Sequence, residues 1–157
     1  MKCNRLVIAV LTLLFPFAGC DETPPPGDKR AGTSSLWEAA SRGDIELIEA
    51  LLAQGVDVNS KDPNRCTPLH YAVSENHIDI VSILIAHVAD VSSPDRDGDT
   101  PLHTAALRAY EDVVKLLLAN GAQINARDNS GHTPLDEALR RGHKEIAKLL
   151  RQHEVQE

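Results

Sequence analysis

Apolar residues along the chain follow two different rhythms, one confined to the N-terminus and one running through the rest. Leu6 to Phe17 is an almost unbroken apolar run, preceded by Lys2 and Arg5 and closed by Ala18-Gly19-Cys20, small residues of the kind a signal peptidase accepts. The run is about a dozen residues long, is interrupted by Pro16 and meets Asp21 and Glu22 at once. A spanning helix needs about 20 apolar residues, so residues 1–19 are predicted to be a cleavable export signal. From Asp21 to Thr33 the pattern vanishes into Pro24-Pro25-Pro26-Gly27 and mixed charges. Too little apolar surface remains there to order the segment, which predicts a semi-extended tether.

After Ser34 the apolar spacing becomes helical and repeats. Ile45 to Leu52, Ile78 to Ile85, Val113 to Leu118 and Ile146 to Leu150 carry the same pattern. Thr67-Pro68-Leu69-His70, Thr100-Pro101-Leu102-His103 and Thr133-Pro134-Leu135-Asp136 recur every 33 residues, and one further step back reaches Ser34-Ser35-Leu36-Trp37. A threonine followed by proline is an N-cap followed by a residue pre-set for the first helical position. Short helices are therefore expected from Thr67, Thr100 and Thr133, stopping near Asn76, Ala109 and Gly142. Second helices should end near Gly55 and Gly121, where a left-handed cap suits glycine. Val56–Asn59 and Ala122–Asn125 read as extended, leading to turns at Asp95–Gly98 and Asp128–Gly131.

The architecture this predicts is an all-α repeat solenoid of four helix-turn-helix units with short β-hairpin loops. The units span about 34–62, 63–95, 96–128 and 129–153, within a domain of 34–157. Two positions depart from the pattern: Val88 stands where the neighbours have Gly55 and Gly121, and Arg65 replaces the turn glycine of 98 and 131. The second unit is therefore predicted to be the softest. The first unit lacks Thr-Pro and the last lacks a following hairpin, as terminal units of a quasi-linear fold do.

The signature residues, the pairs Ala39-Ala40, Ala72-Val73 and Ala105-Ala106, and the run Gly121-Ala122-Gln123-Ile124-Asn125 resemble the ankyrin repeat over about residues 34–153. Phe17-Ala18-Gly19-Cys20 resembles the lipobox of bacterial lipoprotein precursors. That resemblance implies a diacylglycerol on Cys20, which becomes the first mature residue and anchors the chain to a membrane in the periplasm. Asp21 resembles an inner-membrane retention signal of enterobacterial lipoproteins. Ordinary secretory cleavage near the same place is the alternative.

Composition narrows the function. Among 157 residues, aromatics amount to 3%, namely Phe15, Phe17, Trp37, Tyr71 and Tyr110, so the core must be aliphatic. The formal charge is −7, and it becomes −9 once Lys2 and Arg5 leave with residues 1–19. No basic cluster or base-stacking platform is available, which argues against nucleic acid as a partner.

Candidate chemistry is weak. His70 and His103 sit at the fourth signature position, where the resemblance implies a structural imidazole that locks repeats together. No His-Glu-x-x-His or Cys-x-x-Cys pattern accompanies the seven histidines, so no zinc or other metal is expected. Asp95-Arg96-Asp97-Gly98-Asp99 imitates the start of a calcium loop, but its glycine comes two places early and Ala106 stands where a bidentate glutamate is required. Cys66 and His70 are four apart, yet no orienting carboxylate is placed by the sequence. No catalytic site and no cofactor is expected. Cys66 is instead read as the one thiol left after export and lipidation, able to form a minor covalent dimer or mixed disulfide.

The ankyrin resemblance implies a protein-binding surface on the hairpin tips and the exposed face of the first helices. By position the tips are Pro63, Asn64, Cys66, Arg96, Asp97, Asp99, Asn129, Ser130 and His132. The helix positions are Ser41, Arg42, Ser74, Glu75, Leu107, Arg108, Arg140 and Arg141, with Tyr71 and Leu107 as apolar anchors. Two functions are compatible with this pattern: a membrane-tethered module that binds or inhibits one protein partner, or an envelope structural or stress-protective protein without a dedicated partner.

Overall fold

The computed structural model describes residues 35–154. The predicted signal, Cys20 and the tether lie outside them. Eight helices follow in order: α1 Leu36–Arg42, α2 Ile45–Ala53, α3 Pro68–Ser74, α4 Ile78–Ala86, α5 Pro101–Arg108, α6 Glu111–Ala119, α7 Pro134–Arg141 and α8 Lys144–Glu154. Odd-numbered helices pack side by side in one row and even-numbered helices in a second, each unit's pair closing against itself. No strand is present among the described residues, and the segments read as extended run without regular structure into turns at 58–59 and 124–125.

Helix starts follow from the caps. Thr67, Thr100 and Thr133 have extended backbone and are followed by proline in the first turn. In α1, where Thr-Pro is absent, the Ser35 hydroxyl accepts from the Glu38 N–H, and Asp44 does the same for Leu47 at α2.

Burial falls on one aliphatic stripe per helix. Leu36, Ile48, Leu69, Ile80, Leu84, Leu102, Leu117, Ile146 and Leu150 are all fully buried. Each such side chain contributes roughly 1.5–3 kcal/mol of transfer free energy. Ala39, Ala40, Ala72, Ala105, Ala106 and Ala138 are buried between them, and their small size lets neighbouring first helices approach closely.

Three sets of residues repeat at the 33-residue period; two bind one unit to the next and the third closes the turns. Thr67 N–H donates to His70 Nδ1 at 3.1 Å, which leaves His70 Nε2 to donate to the Asp99 carbonyl of the following unit at 3.2 Å. His103 repeats this with Thr100 and the His132 carbonyl. Burial holds the His70 imidazole down to about 4 from its ordinary value, and lowers His103 likewise. In the last unit Asp136 takes the place of the histidine and accepts from Thr133 N–H at 2.9 Å.

The second set is His77, Tyr110 and His143. These three side chains, at the starts of α4, α6 and α8, donate to the carbonyls of Ser41, Ser74 and Leu107 in the preceding units. The third set is Asp62, Asp95 and Asp128. In each, Oδ1 accepts two backbone N–H groups across its own turn: Asn64 and Cys66, Asp97 and Asp99, Ser130 and His132. These contacts close the hairpins without a ladder of paired strands.

Val88 adopts φ 65° and Arg65 φ 64°, the left-handed conformations that their glycine counterparts would take without strain. Val88 is moreover 81% exposed, so no packing offsets its strain.

Candidate functional site

Hairpin tips stack into one ledge. Arg96 N–H donates to the Asn64 carbonyl and Asn129 N–H to the Asp97 carbonyl, both at 2.9 Å, while the Asn129 amide nitrogen reaches the Arg96 carbonyl at 3.0 Å. Gly98 makes this approach possible, because a Cβ there would lie 2.8 Å from the Asn129 nitrogen. Along the ledge Pro63, Asn64, Arg96, Asn129 and Ser130 are exposed, and Asp97, Asp99 and His132 are half-buried. Beside it, the ends of the first helices expose Glu75, Arg108, Arg140 and Arg141, and Arg140 is ion-paired with Glu137.

Three residues expected on this surface are not on it. Tyr71 is 3% exposed; its ring lies 6.0 Å from that of Trp37 and its hydroxyl donates to Asp62 Oδ2 at 2.6 Å. Burial, and then this bond, push its hydroxyl well above the ordinary phenol range. Ser74 is buried, as its place on the packed side of α3 demands. Cys66 is 1% exposed and disulfide-bonded. The reading of Cys66 as an accessible single thiol is therefore corrected. Leu107 is half-buried, and its carbonyl is engaged by His143 at 3.0 Å. In each case the sequence pattern placed the residue on the right helix or turn, while the neighbouring unit decided its exposure.

Between the third and fourth hairpins the electrostatics change. Burial raises Asp95 to about 6, and burial together with the nearby carboxylates of Asp95, Asp128, Glu137 and Asp97 raises Asp99 to about 7. Asp128, His132 and Glu137 bring three ligand atoms within 4.8 Å of one another. The expectation of no metal site came from the absence of any contiguous ligand motif; these residues meet because the hairpin folds back over the first turns of α7. Glu137 escaped notice in the sequence, although its correspondence to Tyr71 at the repeat period was there to be read.

A shallow depression of about 340 Å³ at residues 121–126 is open and lacks titratable side chains. Among the described residues no helix is long and apolar enough to cross a membrane.

Two stacked rows of short helices, bonded turn to turn and presenting a ledge of exposed tips, define a repeat scaffold built for contact. The ankyrin repeats (3 copies) family matches residues 36–128 and 94–156, and the chain belongs to it. Comparison with curated proteins gives no match. Domains of this family are generally non-catalytic and recognise proteins.

Proposed function

We propose that this chain is a membrane-tethered protein-binding module of the bacterial periplasm, which binds or inhibits one partner protein through the hairpin ledge and the adjoining ends of α3, α5 and α7. The observation that carries the reading is the backbone bonding of tip to tip: Asn64, Arg96 and Asn129 are held at fixed spacing, so a partner meets a surface already ordered. Acidic residues of the third hairpin and exposed arginines at the helix ends give this surface two signs of charge, which favours specificity and orientation over raw affinity.

Export and the lipid on Cys20 are supported by the N-terminal sequence alone, as is the weaker indication of the inner membrane from Asp21.

The test is affinity purification of the C-terminally tagged protein from native membranes, beside Cys20→Ser and a triple variant with Arg96, Arg108 and Arg141 changed to Ala. One stoichiometric protein lost in the triple variant, with Cys20→Ser leaving the membrane fraction, is the expected result. Absence of any saturable partner would favour an envelope structural or stress-protective role.

A further inference from the structure

The repeat period places three side chains at one location in successive units: Asp62, Cys66 and Tyr71; Asp95, Asp99 and Thr104; Asp128, His132 and Glu137. In the second unit this location is satisfied, because the Tyr71 hydroxyl donates to Asp62 Oδ2 at 2.6 Å. In the fourth unit the phenol is replaced by a carboxylate. Glu137 is 7% exposed; its Oε1 is held by Arg140, and its Oε2 is buried without a hydrogen-bond partner. Asp128 commits Oδ1 to the Ser130 and His132 N–H groups, and its Oδ2 lies 3.4 Å from His132 Nδ1. Where the second unit has a donor facing an acceptor, the fourth has two acids and an imidazole facing each other.

An unpaired buried carboxylate oxygen beside a second carboxylate is costly, and a cation between them removes the cost. We propose that Asp128, His132 and Glu137 bind a divalent transition-metal ion of the zinc class. One imidazole nitrogen and two carboxylate oxygens form a mixed donor set that zinc accepts, whereas calcium and magnesium require more oxygens than converge here. A tetrahedral zinc with ligands at about 2.1 Å sets its donors about 3.4 Å apart. Donors already within 4.8 Å reach that spacing by small side-chain rotations. His132 is half-exposed, which gives the ion a way in and leaves its outer face to water. Bound there, the ion would tie the fourth hairpin to α7 and stiffen that end of the ledge.

The experiment uses the full-length chain, stripped with EDTA and titrated calorimetrically with zinc chloride, and separately with magnesium and calcium chloride. Wild type should show one saturable zinc site, weakened at least tenfold in Glu137→Gln and in His132→Ala. Both variants keep the Asp128 carboxylate and its turn, and far-UV circular dichroism confirms their fold. X-ray absorption should report one imidazole within an oxygen shell. Zinc should raise the melting temperature of wild type and leave Glu137→Gln unmoved, while in EDTA Glu137→Gln melts higher than wild type. Should either variant fail to fold, the zinc-dependent melting shift of the other decides. No saturable zinc site, a zinc affinity in both variants equal to that of wild type, or a preference for magnesium or calcium overturns the proposal. Higher stability of Glu137→Gln without zinc binding would assign the cluster to a shared proton.

Discussion

The second and fourth hairpins share a backbone plan and differ in what fills it. Both fold around an aspartate whose Oδ1 collects two N–H groups, and both lie against the first turns of a Thr-Pro helix. At the second, Tyr71 supplies a ring for Trp37 and a donor for Asp62, so both Asp62 oxygens are bonded. At the fourth, Glu137 supplies neither, and an oxygen without a partner is left inside. A repeat scaffold can thus hold its backbone constant while a single position, 71 or 137, decides whether a unit is sealed or left open to an additional ligand.

The hardest way to break this contrast is to give the second unit the side chain of the fourth. Tyr71→Glu puts a second carboxylate beside Asp62 and removes the ring from Trp37, and should cost about 3–5 kcal/mol in urea unfolding. A loss under 1 kcal/mol would show that the location tolerates paired acids without help.

Acid titration separates the buried imidazoles from the acids. His70 is held neutral down to about 4, so between pH 6.5 and 4 the unfolded chain binds the extra proton. Stability from this residue is therefore complete above pH 6.5 and falls by about 3 kcal/mol as pH drops towards 4. Asp95 and Asp99, raised to about 6 and about 7, act in the opposite sense, gaining stability as pH falls through those values. In EDTA, His70→Asn should flatten the acid-side loss and Asp99→Asn should steepen it. Unaltered unfolding profiles in both variants would remove these groups from the account.

Tyr71→Phe keeps the ring and deletes only the hydroxyl, leaving Asp62 Oδ2 without its donor. A loss of about 1–3 kcal/mol is expected, with the melting temperature as the readout. If Phe is neutral, the hydrogen bond is not what seals the second hairpin.

The smallest effect concerns strain. Val88→Gly relieves a left-handed β-branched residue that is largely exposed, and should stabilise by about 1 kcal/mol. Hydrogen exchange should show slower opening of α4 in that variant. Faster opening would mean that the loss of backbone restriction outweighs the strain.

Much of the fold could be read directly from the chain. Thr-Pro at 67, 100 and 133 places three helix starts, Gly55 and Gly121 place two caps, and the departures at Val88 and Arg65 coincide with positive φ values. These features are local: a cap or a φ preference acts within a few residues, so a linear sequence carries it. The locking role of His70 and His103 followed from their place in the signature, and their bonds to the Asp99 and His132 carbonyls agree.

The surface could not be read the same way. Tyr71, Ser74 and Cys66 belong to the right helix and turn, yet all three are buried. Whether a side chain on a short helix is sealed or free depends on residues about 33 positions away, which no local pattern encodes. The sequence by itself determined the period, the helix starts and the family. Tertiary structure alone decided which polar groups were brought face to face, because Asp62 meeting Tyr71 and Asp128 meeting Glu137 are contacts between a hairpin and a helix that only packing closes.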